Sequence, residues 1–274
     1  MSDKAIAGGH LHGWMKTTRS DPWWVRPTAI GFCFLIFGAY STWAAFQGNH
    51  YWYGSYLSPF YSPVLFVDIS AFGSAPLEHS WLGLWPGWWP SLLPASPALL
   101  ILAFPLSFRA TCYYYRKAYY QAMAHTPPAC TVGPFPKKPY RGETKLLLLQ
   151  NFHRYTLYFA LIFIGILWYD AFVSFFRDGE FGVGVGSIIL TLNATFLGLY
   201  TTSCHSFRHI VGGRKNSFNC DGCTTASYGA WKKVSFLNSN HMVYAWISLF
   251  WVGFTDLYIR MVSMGFITDF NTWN

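Results

Sequence analysis

The chain has 274 residues, of which 53% are hydrophobic and only 11% are charged, whereas ordinary soluble domains carry roughly 25% charged residues. Aromatic residues make up 21% of the sequence, and Trp and Tyr are enriched where membrane meets water. The net charge is +8, and most of the basic residues lie outside the apolar stretches. Attraction to anionic lipid or to an acidic partner explains this charge, so it does not indicate nucleic-acid binding. The composition excludes an ordinary soluble domain and predicts an all-α membrane protein.

Five stretches are apolar enough to cross a bilayer, which takes about 20 helical residues. Pro27 precedes the first stretch and suits the first turn of a helix. The second stretch contains Pro105 and reaches Arg109, whose long side chain can extend to the interface. In the fifth, Asp256 and Arg260 are spaced to pair on one helical face. The predicted bundle has spans at residues 28–46, 94–115, 155–176, 181–202 and 241–266, within a single domain covering 1–274.

The basic residues predict the orientation of these spans. All Lys and Arg except Arg177 and Arg260 lie before the first span, in residues 109–154 or in residues 208–233. Because positive loops stay on the cytoplasmic side, the N-terminus is predicted inside and the C-terminus outside. The protein is therefore expected in the inner (plasma) membrane with a cytoplasmic functional face. Residues 47–93, aromatic and nearly free of basic residues, are predicted to form a lid on the outer interface.

Histidines and cysteines gather at the predicted inner ends of the last three spans. These residues are His153, His205, His209, His241, Cys204, Cys220 and Cys223. The four-residue spacing of His205 and His209 places both imidazoles on one face of a helix, as in helical zinc sites. Cys220 and Cys223, with two residues between them, can turn two thiolates onto one metal. The spacing therefore predicts a metal or cluster site in the loop before the last span.

Two His and two Cys fit either a tetrahedral zinc site or a [2Fe–2S] cluster in which two His replace two Cys on one iron. Structural zinc usually holds together a small domain that lacks a core, whereas this site closes a membrane helix. Electron transfer to a quinone is therefore the favoured interpretation. The predicted metal ligands are His205, His209, Cys220 and Cys223, with Cys204, His153 and His241 as alternates. The predicted quinone-binding residues, chosen by membrane depth, are Arg154, Tyr155, Trp231 and Ser235.

Three stretches carry a resemblance to a known family, namely SFRATCYYYRKAYY (107–120), NFHRYTLYFA (151–160) and SCHSFRHIVGG (203–213). With them the chain resembles the five-helix membrane-anchor (cytochrome b-type, C) subunit of succinate dehydrogenases, in the haem-free branch with a Rieske-type [2Fe–2S] cluster. The resemblance implies that a flavoprotein subunit oxidises succinate and an iron–sulfur subunit relays the electrons. This chain would anchor both and help form the quinone site, without catalysing succinate oxidation itself. The ligands implied are again His205, His209, Cys220 and Cys223.

Two other functions stay open at this stage. The chain could be a mono-haem b-type cytochrome subunit of a quinone oxidoreductase, using two of His153, His205, His209 and His241. It could also be a transporter or assembly protein with a structural zinc. No His lies near the outer end of a span, which argues against two stacked haems. The expected partners are the two soluble subunits, membrane lipid and quinone, and further copies of the complex in a higher oligomer.

Overall fold

The computed structural model describes residues 13–135, 146–212 and 222–273, and side chains within these ranges except at 146–150 and 222–225. The helices are α1 (Val25–Gln47), α2 (Pro97–Ile101), α3 (Ala103–Thr111), α4 (Tyr113–Ala122), α5 (Leu146–Val173), α6 (Val185–Thr202), α7 (His205–Val211), α8 (Gly222–Ser239) and α9 (His241–Ser263). Two antiparallel hairpins pair β1 (Trp52–Tyr53) with β2 (Tyr56–Leu57) and β3 (Phe176–Arg177) with β4 (Glu180–Phe181).

Four helices in the described ranges are long and apolar enough to cross a membrane. They are Val25–Gln47, Asn151–Val173, Val185–Thr202 and His241–Ser263. These helices confirm the first, third, fourth and fifth predicted spans within a few residues at each end. The chain is therefore a helical membrane protein, as its composition predicted.

The second predicted span, residues 94–115, is not one continuous helix. It is divided into α2, α3 and the start of α4. Pro105 has no N–H to donate to the carbonyl of Ile101, the last residue of α2, so the helix is interrupted there. Cys112 then leaves the helical conformation with a ψ of 133° before α4 begins. The apolar pattern predicted one span here and missed both interruptions.

The chain divides into two compact units, Met1–Ala39 with Arg109–Asn151, and Tyr40–Phe108 with Phe152–Asn274. In the first unit, the Phe34 and Tyr115 rings pack with centroids 6.1 Å apart. Arg109 was expected to extend to the interface, but its guanidinium donates a hydrogen bond to the Tyr115 hydroxyl. This contact keeps the Arg109 charge beside α4.

The core of the second unit lies among α5, α6 and α9. Leu167, Leu190, Ala194 and Ile259 belong to one buried apolar cluster. Trp251 on α9 donates its indole N–H to the Ile189 carbonyl on α6 at 3.1 Å. The helices of this unit end at two faces. The histidine face has the ends near residues 152, 202 and 241, and the hairpin face has the ends near residues 173, 185 and 263.

The hairpin face is covered by residues 48–96, called the cap segment below. Its first half is core rather than a surface lid, since Tyr51, Tyr56 and Tyr61 are at most 1% exposed. Gly54, with a φ of +57°, allows the tight turn between β1 and β2. In the second half Trp88 and Leu92 are 73% and 92% exposed. Only this second half agrees with the predicted interfacial lid.

The predicted pair of Asp256 and Arg260 is confirmed. The Arg260 Nε lies 3.5 Å from the Asp256 Oδ2, and neither side chain is more than 2% exposed. Arg260 also donates to the Asn49 carbonyl at 2.9 Å and lies over the Trp43 ring, 5.2 Å from its centroid. A buried charge of this kind requires such partners. The pair therefore connects α9 to the start of the cap segment.

Candidate metal and quinone site

A buried imidazole–thiol pair lies on the histidine face. The His153 Nε2 is 3.1 Å from the Cys204 Sγ, and the two residues are 8% and 2% exposed. The local sequence explains the thiol position, because α6 ends at Thr202 and Cys204 adopts an extended conformation with a ψ of 142°. Cys204 thereby caps α7, and its sulfur accepts a hydrogen bond from the Ser206 N–H at 3.3 Å. Leaving the helix turns the thiol inward toward α5.

His241 is a second buried imidazole on the same face, 3% exposed at the first residue of α9. Its Nδ1 lies 2.7 Å from the Ser203 hydroxyl, and Asn238 donates to the Ser203 carbonyl at 2.7 Å. Ser203, which directly precedes Cys204 in the chain, therefore orients the His241 ring.

Aromatic rings hold both imidazoles in place. Phe108 stacks on His153 with centroids 4.4 Å apart and an angle of 9°. Tyr200 stacks on His241 at 5.1 Å and 15°, and meets Phe108 edge-on at 5.4 Å. His153 additionally hydrogen-bonds the Phe108 backbone. Such second contacts are how metal-binding histidines are usually oriented.

The four metal ligands that the sequence favours are not described at this imidazole–thiol pair. His205 and His209 are exposed on the short helix α7, one turn apart as predicted. Cys220 is outside the described residues. Cys223 lies in the first turn of α8, and its side chain is not described. The structure thus brings two of the three alternates, His153 and Cys204, into contact and places His241 on the same face, while none of the four preferred ligands is described beside them.

His205 lies outside the membrane spans, and partial burial lowers its pKa from the ordinary value. The nearby positive groups Arg208, His209 and Arg154 lower the pKa further. The neutral imidazole is therefore favoured near pH 7. This is the protonation state that a metal ligand needs, although it equally suits an exposed uncharged residue.

The predicted quinone-binding residues lie on two helices. Arg154 and Tyr155 are exposed on α5. On α8, the Ser235 hydroxyl donates to the Trp231 carbonyl at 2.6 Å, so this donor is used within its own helix. The Trp231 ring lies under the Arg208 guanidinium at 4.5 Å. Arg154 and Tyr155 are thus better placed than Ser235 to donate to a ligand.

Four residues that contact the imidazoles or the predicted quinone-binding residues were not predicted from the sequence, namely Phe108, Tyr200, Ser203 and Arg208. Tyr200 lies four residues before Cys204 at the end of the fourth predicted span, so its closeness in sequence was a usable signal. Phe108 comes from a distant part of the chain and gave none.

A metal fit can be tested on the donors themselves. Within the described residues, no group of three or more His, Cys, Asp and Glu side chains is placed to hold a metal ion. The pair of His153 and Cys204 nonetheless supplies one nitrogen and one sulfur at contact distance. Imidazole nitrogen and thiolate sulfur are the donors that zinc and mixed His/Cys iron–sulfur clusters take. The donor types therefore fit, but the described residues bring only two of the four donors into contact.

Comparison with known proteins identifies the family. The family model described as actinobacterial succinate dehydrogenase subunit SdhC matches residues 25–265. A chain in the solved structure of the Mycobacterium smegmatis Sdh1 complex in the apo form is similar, with 40% identity, a TM-score of 0.80 and 92% of each chain covered. No curated protein matches. Together with the apolar helices of a multi-pass plasma-membrane protein, these matches show that the chain belongs to the actinobacterial SdhC family of succinate dehydrogenase membrane subunits.

Proposed function

We propose that this subunit anchors the flavoprotein and iron–sulfur subunits of a succinate:quinone oxidoreductase and passes their electrons to a membrane quinone. A His- and Cys-ligated [2Fe–2S] cluster on the histidine face, at the cytoplasmic side, would connect the two. Family membership and the similarity to a chain of the M. smegmatis Sdh1 complex support the assembly with other subunits. The observation that carries the electron-transfer part is the 3.1 Å contact between His153 and Cys204.

His153 and Cys204, which are in contact, are proposed as two of the ligands. His241 of the same face and a further cysteine would complete the set, and metal binding would have to draw them in, since the described residues hold no preformed group of three. His205, His209, Cys220 and Cys223 are the rival set. A mixed His/Cys cluster supplies one-electron transfer at a higher potential than an all-Cys cluster. What supports the favoured set is that both imidazoles are buried, stacked on aromatic rings and hydrogen-bonded through a second contact.

The residues of this chain would also bind the quinone head. Arg154 and Tyr155 are exposed at the start of the third predicted span, where their N–H and O–H groups can donate to a quinone carbonyl. Trp231 and Ser235 remain members of the proposed site. They would contribute apolar contact more than hydrogen bonds, since Ser235 donates within α8.

We further propose that the chain crosses the membrane five times, with α2, α3 and α4 forming a broken second span. Ile101, Phe108 and Cys112 in this segment are each 2% exposed. Interrupted helices are tolerated at membrane depth when protein buries them. The N-terminus would be cytoplasmic and the C-terminus outside. Two topology reporters can be fused after Asn274, one active only outside the cytoplasm and one active only inside it. The first should be active, and activity of the second would contradict this orientation.

The ligand assignment is tested on the purified complex. Cys204→Ser should remove the iron and acid-labile sulfide of one cluster, together with its electron paramagnetic resonance signal. Quinone reduction should fall at least about 100-fold, while succinate oxidation by an artificial dye continues in the soluble subunits. Cys130→Ser, which changes an exposed free cysteine, is the matched control and should leave every signal unchanged.

The same measurements separate the alternatives. If Cys204→Ser keeps its full iron and sulfide while Cys220→Ser and Cys223→Ser lose them, the ligands are those of the rival set. A Soret band with a reducible α-band would replace the cluster with haem b. Stoichiometric zinc without labile sulfide would indicate a structural metal and contradict the electron-transfer role.

A further inference from the structure

Three aspartates on the hairpin face are buried, but their hydrogen-bond donors differ. Asp256 accepts from Tyr40, Ser58 and Arg260. Asp269 accepts from Tyr56, Tyr258 and the Gly186 N–H. Asp170 is 6% exposed and accepts from the Ser62 hydroxyl, and in the described part of the chain no Lys or Arg is ion-paired with it. Because buried carboxylates need donors or a cation, Asp170 is the least satisfied of the three.

Asp170 also lines a cavity of about 150 Å³ between α5 and the cap segment. Two stretches of the cap segment form its outer wall, where Trp81 N–H donates to the Val64 carbonyl at 2.9 Å. Tyr169 and Glu78 contribute further lining. The backbone pairing makes this wall a built surface rather than a gap between loose loops.

The charges around the cavity are negative. Asp170 and Glu78 both line it, and residues 48–93 contain no Lys or Arg. His79, the other titratable lining group, adds no positive charge because burial lowers its pKa. Trp81 and Tyr169 are 61% and 62% exposed, and such rings favour the headgroup depth of a membrane. Their π faces attract cations.

We propose that this cavity binds the primary ammonium group of an amine-bearing phospholipid, with the Asp170 carboxylate accepting its N–H donors. The cavity volume accommodates an ethanolammonium group while the acyl chains stay in the bilayer. An ammonium ion needs one carboxylate and aromatic faces, whereas a metal ion needs several ligands, and the described residues offer no group of three His, Cys, Asp or Glu for one. The proposal is independent of the quinone site on the histidine face.

The test uses the whole succinate dehydrogenase complex in nanodiscs of phosphatidylcholine that contain either phosphatidylethanolamine or phosphatidylglycerol. Native mass spectrometry after release from the disc counts the lipid that stays bound. One phosphatidylethanolamine should be retained per copy of this chain. Asp170→Asn should reduce its retention about tenfold or more, because a charge-assisted hydrogen bond becomes a neutral one.

Asp178→Asn is the matched control, since it removes an exposed carboxylate that lies outside the cavity, and it should retain the lipid. If Asp170→Asn prevents assembly, Glu78→Gln on the exposed rim replaces it and should weaken retention several-fold. Equal retention of phosphatidylglycerol, or wild-type retention in the substituted complex, would overturn the proposal. Quinone reduction, measured in parallel, reports on the proposed function separately.

Discussion

The two faces of the second unit treat buried polar groups in opposite ways. On the hairpin face, Asp256 and Asp269 each accept hydrogen bonds from three donors of the same chain. On the histidine face, His153 and His241 are held mainly by stacked rings. The nitrogen of His153 that faces Cys204 meets a thiol, which is a weak hydrogen-bond partner.

This difference separates groups that maintain the fold from groups that can bind a ligand. A carboxylate with three internal donors gains little from a ligand, because most of its acceptor capacity is used. Stacking instead orients an imidazole through its ring faces, so that its nitrogens, which are the atoms that bind metals, lie at the ring edge. Substitutions of Asp256 and Asp269 should therefore change stability first, and substitutions on the histidine face should change the content of the proposed cluster first.

The largest effect is expected for Asp256→Ala. It leaves the charge of Arg260, 1% exposed, without its carboxylate, and breaking a buried ion pair costs about 3–5 kcal/mol. The complex should lose this subunit or its apparent unfolding midpoint should fall by many degrees, measured by scanning fluorimetry. Asp256→Asn keeps an acceptor for Tyr40 and should cost less. Normal assembly and midpoint in Asp256→Ala would contradict a stabilising role for this network.

The next largest effect is expected on the same face, where the Gly186 backbone lies close to the Tyr56 ring. A Cβ at Gly186 would overlap the Tyr56 ring, so Gly186→Ala should displace Tyr56 from Asp269. Forced overpacking of this kind costs about 1–3 kcal/mol, which should lower the midpoint of the purified complex. Gly165→Ala is the control, because a Cβ there meets nothing within 4 Å. Equal midpoints for the two variants would show that Tyr56 moves without cost.

The fold was predictable where a single physical rule decides it. Long, mostly apolar stretches located four spans, because a lipid-crossing helix needs about 20 predominantly apolar residues. Residues 94–115 were predicted as one span because the Arg109 side chain can extend to the interface, but the interruption at Pro105 follows from its missing N–H. The break at Cys112 has no comparable signal in the sequence, since a cysteine does not by itself end a helix.

The site was predictable only in part, for a similar reason. The spacing of His205 and His209 is visible in sequence, whereas the contact between His153 and Cys204 joins residues 51 positions apart. From the sequence alone, Cys204 was predicted only as an alternate ligand, because the sequence does not show where α6 ends. The structure ends α6 before it, and this change of backbone conformation turns the thiol toward His153.

A smaller effect on stability, but a clear one on the cofactor, is expected for Tyr200→Leu on the histidine face. The substitution removes the ring that stacks on His241 and meets Phe108, and such ring pairs contribute about 0.5–1.5 kcal/mol each. The iron and labile sulfide bound per complex should fall clearly, whereas the unfolding midpoint should change little. Tyr200→Phe preserves the stacking and should retain the cluster. A large loss of midpoint with full iron would place Tyr200 with the stabilising residues instead.

The smallest effect should come from His205, which lies on α7 outside the spans. Its pKa in the folded chain is lowered by partial burial and by Arg208, His209 and Arg154, whereas the unfolded value is about 6.5. The folded state therefore binds the proton less tightly, and its stability contribution is present above about pH 6.5 and lost as the pH falls through the folded pKa. His205→Gln should flatten the decline of the unfolding midpoint below about pH 6.5. Arg208→Gln should flatten it partly, because one positive neighbour is gone. Parallel curves for wild type and His205→Gln would assign the acid sensitivity to other groups on the histidine face.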